Sequence, residues 1–271
     1  MFSLLRRRLS IYGAIMALIP KQFMQYSAWF WAEMIGQVLA MVIVGSFWRA
    51  VYASSTTVGG LTADSTIRYI LLAQLVAPLV RWGMILEMGG LVSQGGVAIE
   101  LTRPIDMQAR MFAQGLAASL TNLIFKSGPL ALFGWLFLGL TFPTDPLTWG
   151  AFLISWLLGF AALFCFDWII ACVVFYTTEA WGLHILREGV AAFLSGALIP
   201  LAMMPSLLQK VAAVVPFGQA LYVPVGLLSG LIPLSGAPKA WLIQIAWIVV
   251  LLPLSRFVFS RAVRAVTVQG G

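Results

Sequence analysis

The sequence predicts an all-α polytopic membrane protein with six transmembrane helices, an N-terminal interfacial amphipathic helix, and re-entrant helices between spans five and six. Three observations carry that prediction. Hydrophobic residues make up 61% of the 271-residue chain and charged residues only 9%, with mean hydropathy +0.98. A soluble domain averages about 45–50% apolar and about 25% charged, so this chain has too little polar surface to coat a water-soluble globule. Six stretches, 27–48, 67–90, 110–140, 147–176, 180–200 and 239–258, reach the roughly 20 apolar residues a helix needs to cross hydrocarbon. Trp29, Trp31, Trp48, Trp149, Trp181 and Trp241 fall near the ends of those stretches, where interfacial aromatics belong. Residues 1–271 read as one transmembrane domain.

Residues 1–26 open with Arg6, Arg7 and Arg8, continue as an apolar run, and end in Pro20-Lys21-Gln22. A signal peptide has the same order of regions, but no small-x-small cleavage site follows. An interfacial helix, with the arginines at anionic headgroups, is the better reading. Lys and Arg then set the orientation. With the N-terminus inside, Arg6, Arg7, Arg8, Lys21, Arg103, Arg110, Arg187, Arg256, Arg261 and Arg264 are cytoplasmic, and only Arg49, Arg68, Lys210 and Lys239 are outside. That asymmetry predicts two cytoplasmic termini. The net charge of +7 is spread among apolar spans instead of being gathered on a polar face, which argues against nucleic acid as a partner.

The connector between spans two and three, residues 93–108, concentrates Glu100, Arg103 and Asp106, with Arg110 just beyond. Gly95-Gly96 lets the chain turn out of the membrane. Val97 to Leu101 has an apolar side, Glu100 and Arg103 can pair at i,i+3 on a helix, and Pro104 ends that helix. A solvated inside-positive loop is the bland alternative. A flexible tether is more often Gly/Ser-rich, so a short rigid docking element is favoured.

Arg81, Glu87, Lys126 and Asp167 fall within spans, where ionisable groups face the bundle interior. Lys126 precedes Gly128-Pro129, a candidate kink. Asp167 sits about 7 Å from the centre of span four, within reach of a snorkelling lysine, so a Lys126–Asp167 pair is expected. Such a pair either fixes packing or lines a path for a polar headgroup. Glu179, Arg187 and Glu188 read as a solvated bend before span five, or a second contact with a partner.

Residues 200–238 hold six of the thirteen prolines, Pro200, Pro205, Pro216, Pro224, Pro233 and Pro238. Each interrupts a helical ladder, and non-helical backbone at membrane depth needs protein or a wet cavity around it. Short re-entrant helices entering from the outer face follow. Cys165 and Cys172 share a predicted helix about 10 Å apart along its axis, too far for a disulfide. Two Cys and one His argue against a structural metal. His184 and Ser195 stand about 16 Å apart on one helix, which excludes a nucleophile–base pair.

The run "SQGGVAIELTRPID" followed by a long apolar span resembles the connector of ABC-2 exporter permeases, most closely a bacterial subgroup with a Leu-x-Arg-Pro motif, here Leu101-Thr102-Arg103-Pro104. A second stretch is similar to that family's region before the last span: Leu194-Ser195-Gly196, Pro200, Pro205, Pro216-Phe217, Pro224 and Gly230. Together these cover essentially the whole chain. The resemblance implies a multi-pass permease of the bacterial cytoplasmic membrane. It would pair with a second permease, identical or a sister, and sit on a cytosolic ABC ATPase dimer. Gly95, Gly96, Glu100, Leu101, Arg103, Pro104 and Asp106 would then form the coupling helix. ATP and Mg would belong to the partner; this chain implies no cofactor of its own, since Lys21, Lys126, Lys210 and Lys239 lie in no phosphate-cradling loop. The implied cargo is amphiphilic or hydrophobic (lipid, glycolipid, peptide or drug), by family analogy. An ion-coupled carrier using Glu87 and Asp167 is the alternative.

Overall fold

The computed structural model describes residues 13, 16–20, 27–81, 83–177 and 179–265. The interfacial helix expected over 1–26 lies largely outside them; residues 13 and 16–20 are helical. Helix α1 (Ser27–Ala53) shows how the apolar excess is used. Trp31, Ile35, Leu39, Ile43 and Phe47 recur every fourth residue and are all exposed, while Met34, Met41 and Trp48 are buried. One stripe therefore packs against protein and the other suits hydrocarbon.

A tight antiparallel turn, β1 (Thr57–Val58) with β2 (Leu61–Thr62), reverses the chain. Thr62 caps helix α2 (Ala63–Val80) by accepting from the Ser65 N–H. This central helix is buried almost throughout. It stops after Pro78, Arg81 is extended, and helix α3 (Met84–Ser93) resumes the span. The carbonyls freed at that break are met from the third span. Ser119 Oγ donates to Leu79 O, and Asn122 Nδ2 to Pro78 O at 2.9 Å. One turn earlier, Ser127 Oγ donates to Leu75 O at 2.7 Å. Backbone left unpaired in lipid would cost several kcal/mol per group.

Beyond the connector helix α4 (Gly96–Thr102), the third span comprises α5 (Met107–Asn122), a π-helical turn at Leu123–Ser127, and α6 (Gly128–Phe137). The irregularity thus falls on Lys126, just ahead of the Gly128-Pro129 pair. Helix α7 (Pro146–Ala171), capped by Asp145, forms the fourth span with the short α8 (Val174–Thr177). The last span is α13 (Ala237–Ala262).

Five helices among the described residues are long and apolar enough to cross a membrane, or six if one bent pair counts as a single span. The stretch expected to be span five, 180–200, departs from a regular helix. Helix α9 (Trp181–Leu194) has 14 residues, about 21 Å, too short alone for a hydrocarbon core of about 30 Å. The chain nonetheless climbs on as irregular backbone. A Cβ added to Gly89 would clash with Ala180 beside the start of α9, and one added to Gly59 would press on Met203 beyond its end. Between them, Gly196 O accepts from Tyr69 OH at 2.9 Å and Leu198 O from Trp48 Nε1 at 3.4 Å. Neighbouring side chains thus replace the missing helical hydrogen bonds.

Residues 206–229 then fold as a hairpin of α10 (Ser206–Val214), α11 (Phe217–Ala220) and α12 (Tyr222–Ser229), with a 74° bend across Pro216. Met203 lies by the β turn, and Val223 and Leu227 pack with Ala151 and Ala237, so both ends of the hairpin return to one side of the molecule. Its tip rests on α7 at Gly159, where an added Cβ would stand 2.4 Å from Gln219 O. Gln244, fully buried on α13, donates to Gln219 O at 2.7 Å and to Ser155 O at 3.0 Å, joining the hairpin to two spans.

Candidate functional site: connector and buried charge centre

At the connector, Gly95 adopts φ 69°, the left-handed region that favours glycine, and the chain turns directly from α3 into α4 with Gly96 as its first residue. Helix α4 ends at Thr102 because Arg103 is extended ahead of Pro104. The expected Glu100–Arg103 pair forms at 3.0 Å. Glu100 also takes Arg110 at 3.0 Å, so one buried carboxylate ties the connector helix to the start of the third span. Glu87 lies within electrostatic range of both. Asp106 caps α5 by accepting from the Ala109 N–H at 2.6 Å and pairs with Arg256 of the last span. Partial burial would raise the Asp106 carboxyl, but the hydrogen bonds from Arg256 and Ala109 hold it below the usual carboxylate range. The base of the connector is therefore pinned on two sides. Its outer surface presents two large apolar side chains, Ile99 64% and Leu101 43% exposed, beside the half-exposed Arg103.

The charges placed inside the spans are paired differently from expectation. Lys126 Nζ lies 2.6 Å from Glu33 Oε1 of α1, and Asp167 is held by Arg187. The expected Lys126–Asp167 pair is thus corrected: the helices of the two residues present them to different neighbours. Arg187 is buried, not part of a solvated bend. It donates Nε to Asp167 Oδ1 at 2.9 Å and Nη2 to Oδ2 at 2.6 Å, with Nη1 to Glu188. Its guanidinium lies 5.4 Å from the Phe217 ring centroid, so α9, the fourth span and the hairpin tip meet there. Arg81 approaches Glu188 at 3.7 Å.

In the hairpin region, Ser195 and Gly196 (φ 80°) end α9 and are buried. Pro200 is buried before a short 3₁₀ turn, exposed Pro205 precedes α10, and buried Pro216 opens α11. Phe217 packs edge-on to Phe166 at 5.3 Å. Glu33 and Arg187 are the partners that sequence reasoning missed. Arg187 carried a usable signal, because a chain that turns back between the fourth span and α9 can bring it beside Asp167. Among the described residues no group of three His, Cys, Asp or Glu could hold a metal.

The family model for "ABC-2 family transporter protein" matches residues 37–270. The chain belongs to the ABC-2 transporter family. It is a multi-pass permease subunit, the kind of subunit that works with a separate ABC ATPase. No curated protein and no solved structure matches the permease.

Proposed function

We propose that this permease is the membrane part of an ATP-driven exporter of amphiphilic or hydrophobic molecules in a bacterial cytoplasmic membrane, with both termini and the connector facing the cytoplasm. The carrying observation is the build of the connector: an exposed apolar tip, Ile99 and Leu101, on a helix whose base is locked by Glu100, Arg110, Asp106 and Arg256. A rigid knob transmits a push from a partner; a floppy loop would absorb it. ATP and Mg belong to the partner ATPase dimer, which would grip one connector from each of two permeases, identical or sister.

An ion-coupled carrier needs a carboxylate free to load and release protons. Asp167, held by two hydrogen bonds from one guanidinium, is poorly suited to that. The test is a photo-crosslinking residue at Ile99 in the permease expressed with its ATPase. A covalent permease–ATPase product is expected from Ile99 and none from Leu242, on the exposed face of the last span. Crosslinks from neither position, with both proteins co-purifying, would contradict the role given to the connector.

A further inference from the structure

The last span, α13, makes polar contact with both the base of the connector and the tip of the hairpin. Most of this helix faces outward, with Leu242, Val249, Val250 and Phe257 all exposed. Its buried residues form a narrow stripe, Ala237, Gln244, Leu251, Ser255 and Ala262, and two of them are polar. Gln244 and Ser255 are fully buried. They stand eleven residues apart, about three turns and about 17 Å of rise, so one face of the helix carries both. At the connector end, Ser255 Oγ accepts from Gln108 Nε2 at 2.8 Å, and the neighbouring Arg256 pairs with Asp106. Gln108 is itself buried in the first turn of α5. At the other end, Gln244 donates to Gln219 O of the hairpin tip.

That tip is wedged. Gly159 of α7 meets the backbone of Gln219 from one side, and Gln244 of α13 holds its carbonyl from the other. The two helices cannot shift past one another without moving it. Between its two contacts α13 is unbroken, running through Pro253, and a helix in hydrocarbon has no partner for its backbone but itself. A leucine would fill the stripe at 244 at lower desolvation cost, so the amide is there for what it ties.

We propose that α13 is a connecting rod: a displacement of the connector by the ATPase passes through the Gln108–Ser255 and Asp106–Arg256 contacts, along the last span, and through Gln244 to the hairpin tip. Gln108, Ser255 and Gln244 are positioning residues, touching neither ATPase nor cargo. The inference rests on the coupling reading for its motive force and adds where the motion ends.

The test is cysteine labelling of the permease–ATPase complex in lipid nanodiscs. Lys210→Cys places a reporter on exposed α10, and Leu147→Cys places one at the exposed start of the fourth span. The native Cys165 and Cys172 are buried and stay silent. Labelling by a charged maleimide is compared without nucleotide and after trapping with ATP, Mg and vanadate, at equal trapped nucleotide. A severalfold change in rate is expected at Lys210→Cys and none at Leu147→Cys. Adding Gln244→Leu abolishes the change. So does adding Ser255→Ala with Arg256→Gln, about 17 Å down the helix from Gln244, where a purely structural role would leave the hairpin's response intact. This second variant also decides the matter if Gln244→Leu fails to assemble. No response at Lys210→Cys, an equal response at Leu147→Cys, or a full response in the Ser255→Ala, Arg256→Gln background would overturn the rod. A response that depends on Ser255 and Arg256 but survives Ile99→Asp with Leu101→Asp would sink the coupling reading alone.

Discussion

Two carboxylate–guanidinium pairs in this permease share a chemistry and differ in surroundings. Asp167 and Arg187 have side chains only 8% and 5% exposed, where the fourth span, α9 and the hairpin tip converge. Asp106 and Arg256 are 43% and 45% exposed, where the connector meets the last span. The first pair lies where an unpartnered charge has nowhere to go. The second is solvated and screened, so its worth is in geometry more than in stability. The buried pair holds the bundle together, and the exposed pair aims the connector.

Separating the buried pair is expected to have the largest effect. Asp167→Ala takes two of the three hydrogen bonds from buried Arg187, leaving it Glu188 alone, and should cost up to about 3–5 kcal/mol, read as a collapse of the monodisperse peak on size exclusion or a steep fall in thermal midpoint. The double variant Asp167→Leu with Arg187→Met should recover most of that loss. No recovery would show that the charges do more than satisfy each other. Next in size, Gly159→Ala should destabilise by about 1–3 kcal/mol, because the added Cβ meets hairpin backbone, not a movable side chain. A neutral result in the same thermal assay would mean the hairpin tip shifts easily.

How far these features could be read beforehand depends on whether they are local. Gly95, Pro104 and the Glu100–Arg103 pair act within a few residues of themselves, so the turn, the helix end and the i,i+3 contact were legible. The regular spans were legible too, since lipid imposes a uniform apolar requirement on each. Two features were not. Hydropathy registers 180–200 as apolar but not that Ser195–Pro200 leaves the helix, because side chains far off in sequence, Tyr69 and Trp48, satisfy that backbone. Depth along the spans suggests pairing Lys126 with Asp167, but depth says nothing of which way a helix turns its side chains.

The exposed pair sharpens the comparison from its weak side. Asp106→Asn should change stability by less than about 1 kcal/mol yet lower ATPase stimulation, since the connector loses its tie to the last span. Its pH dependence has a definite sign. The folded-state carboxyl sits below the unfolded value of about 3.9, so the stabilisation is present above that value and fades as pH falls through the lower folded one. Between pH 5 and 8 the thermal midpoints of wild type and Asp106→Asn should run parallel. A gap that opens within that window would point to a different titrating group.

The most direct test of the whole account is ATP hydrolysis by the permease–ATPase complex in lipid nanodiscs, with and without the paired change Ile99→Asp and Leu101→Asp. Both positions are exposed, so the variant should insert and keep its thermal midpoint. The prediction is that hydrolysis drops to the rate of the ATPase without its permease. Wild-type stimulation from the variant complex would contradict the claim that force enters through the connector.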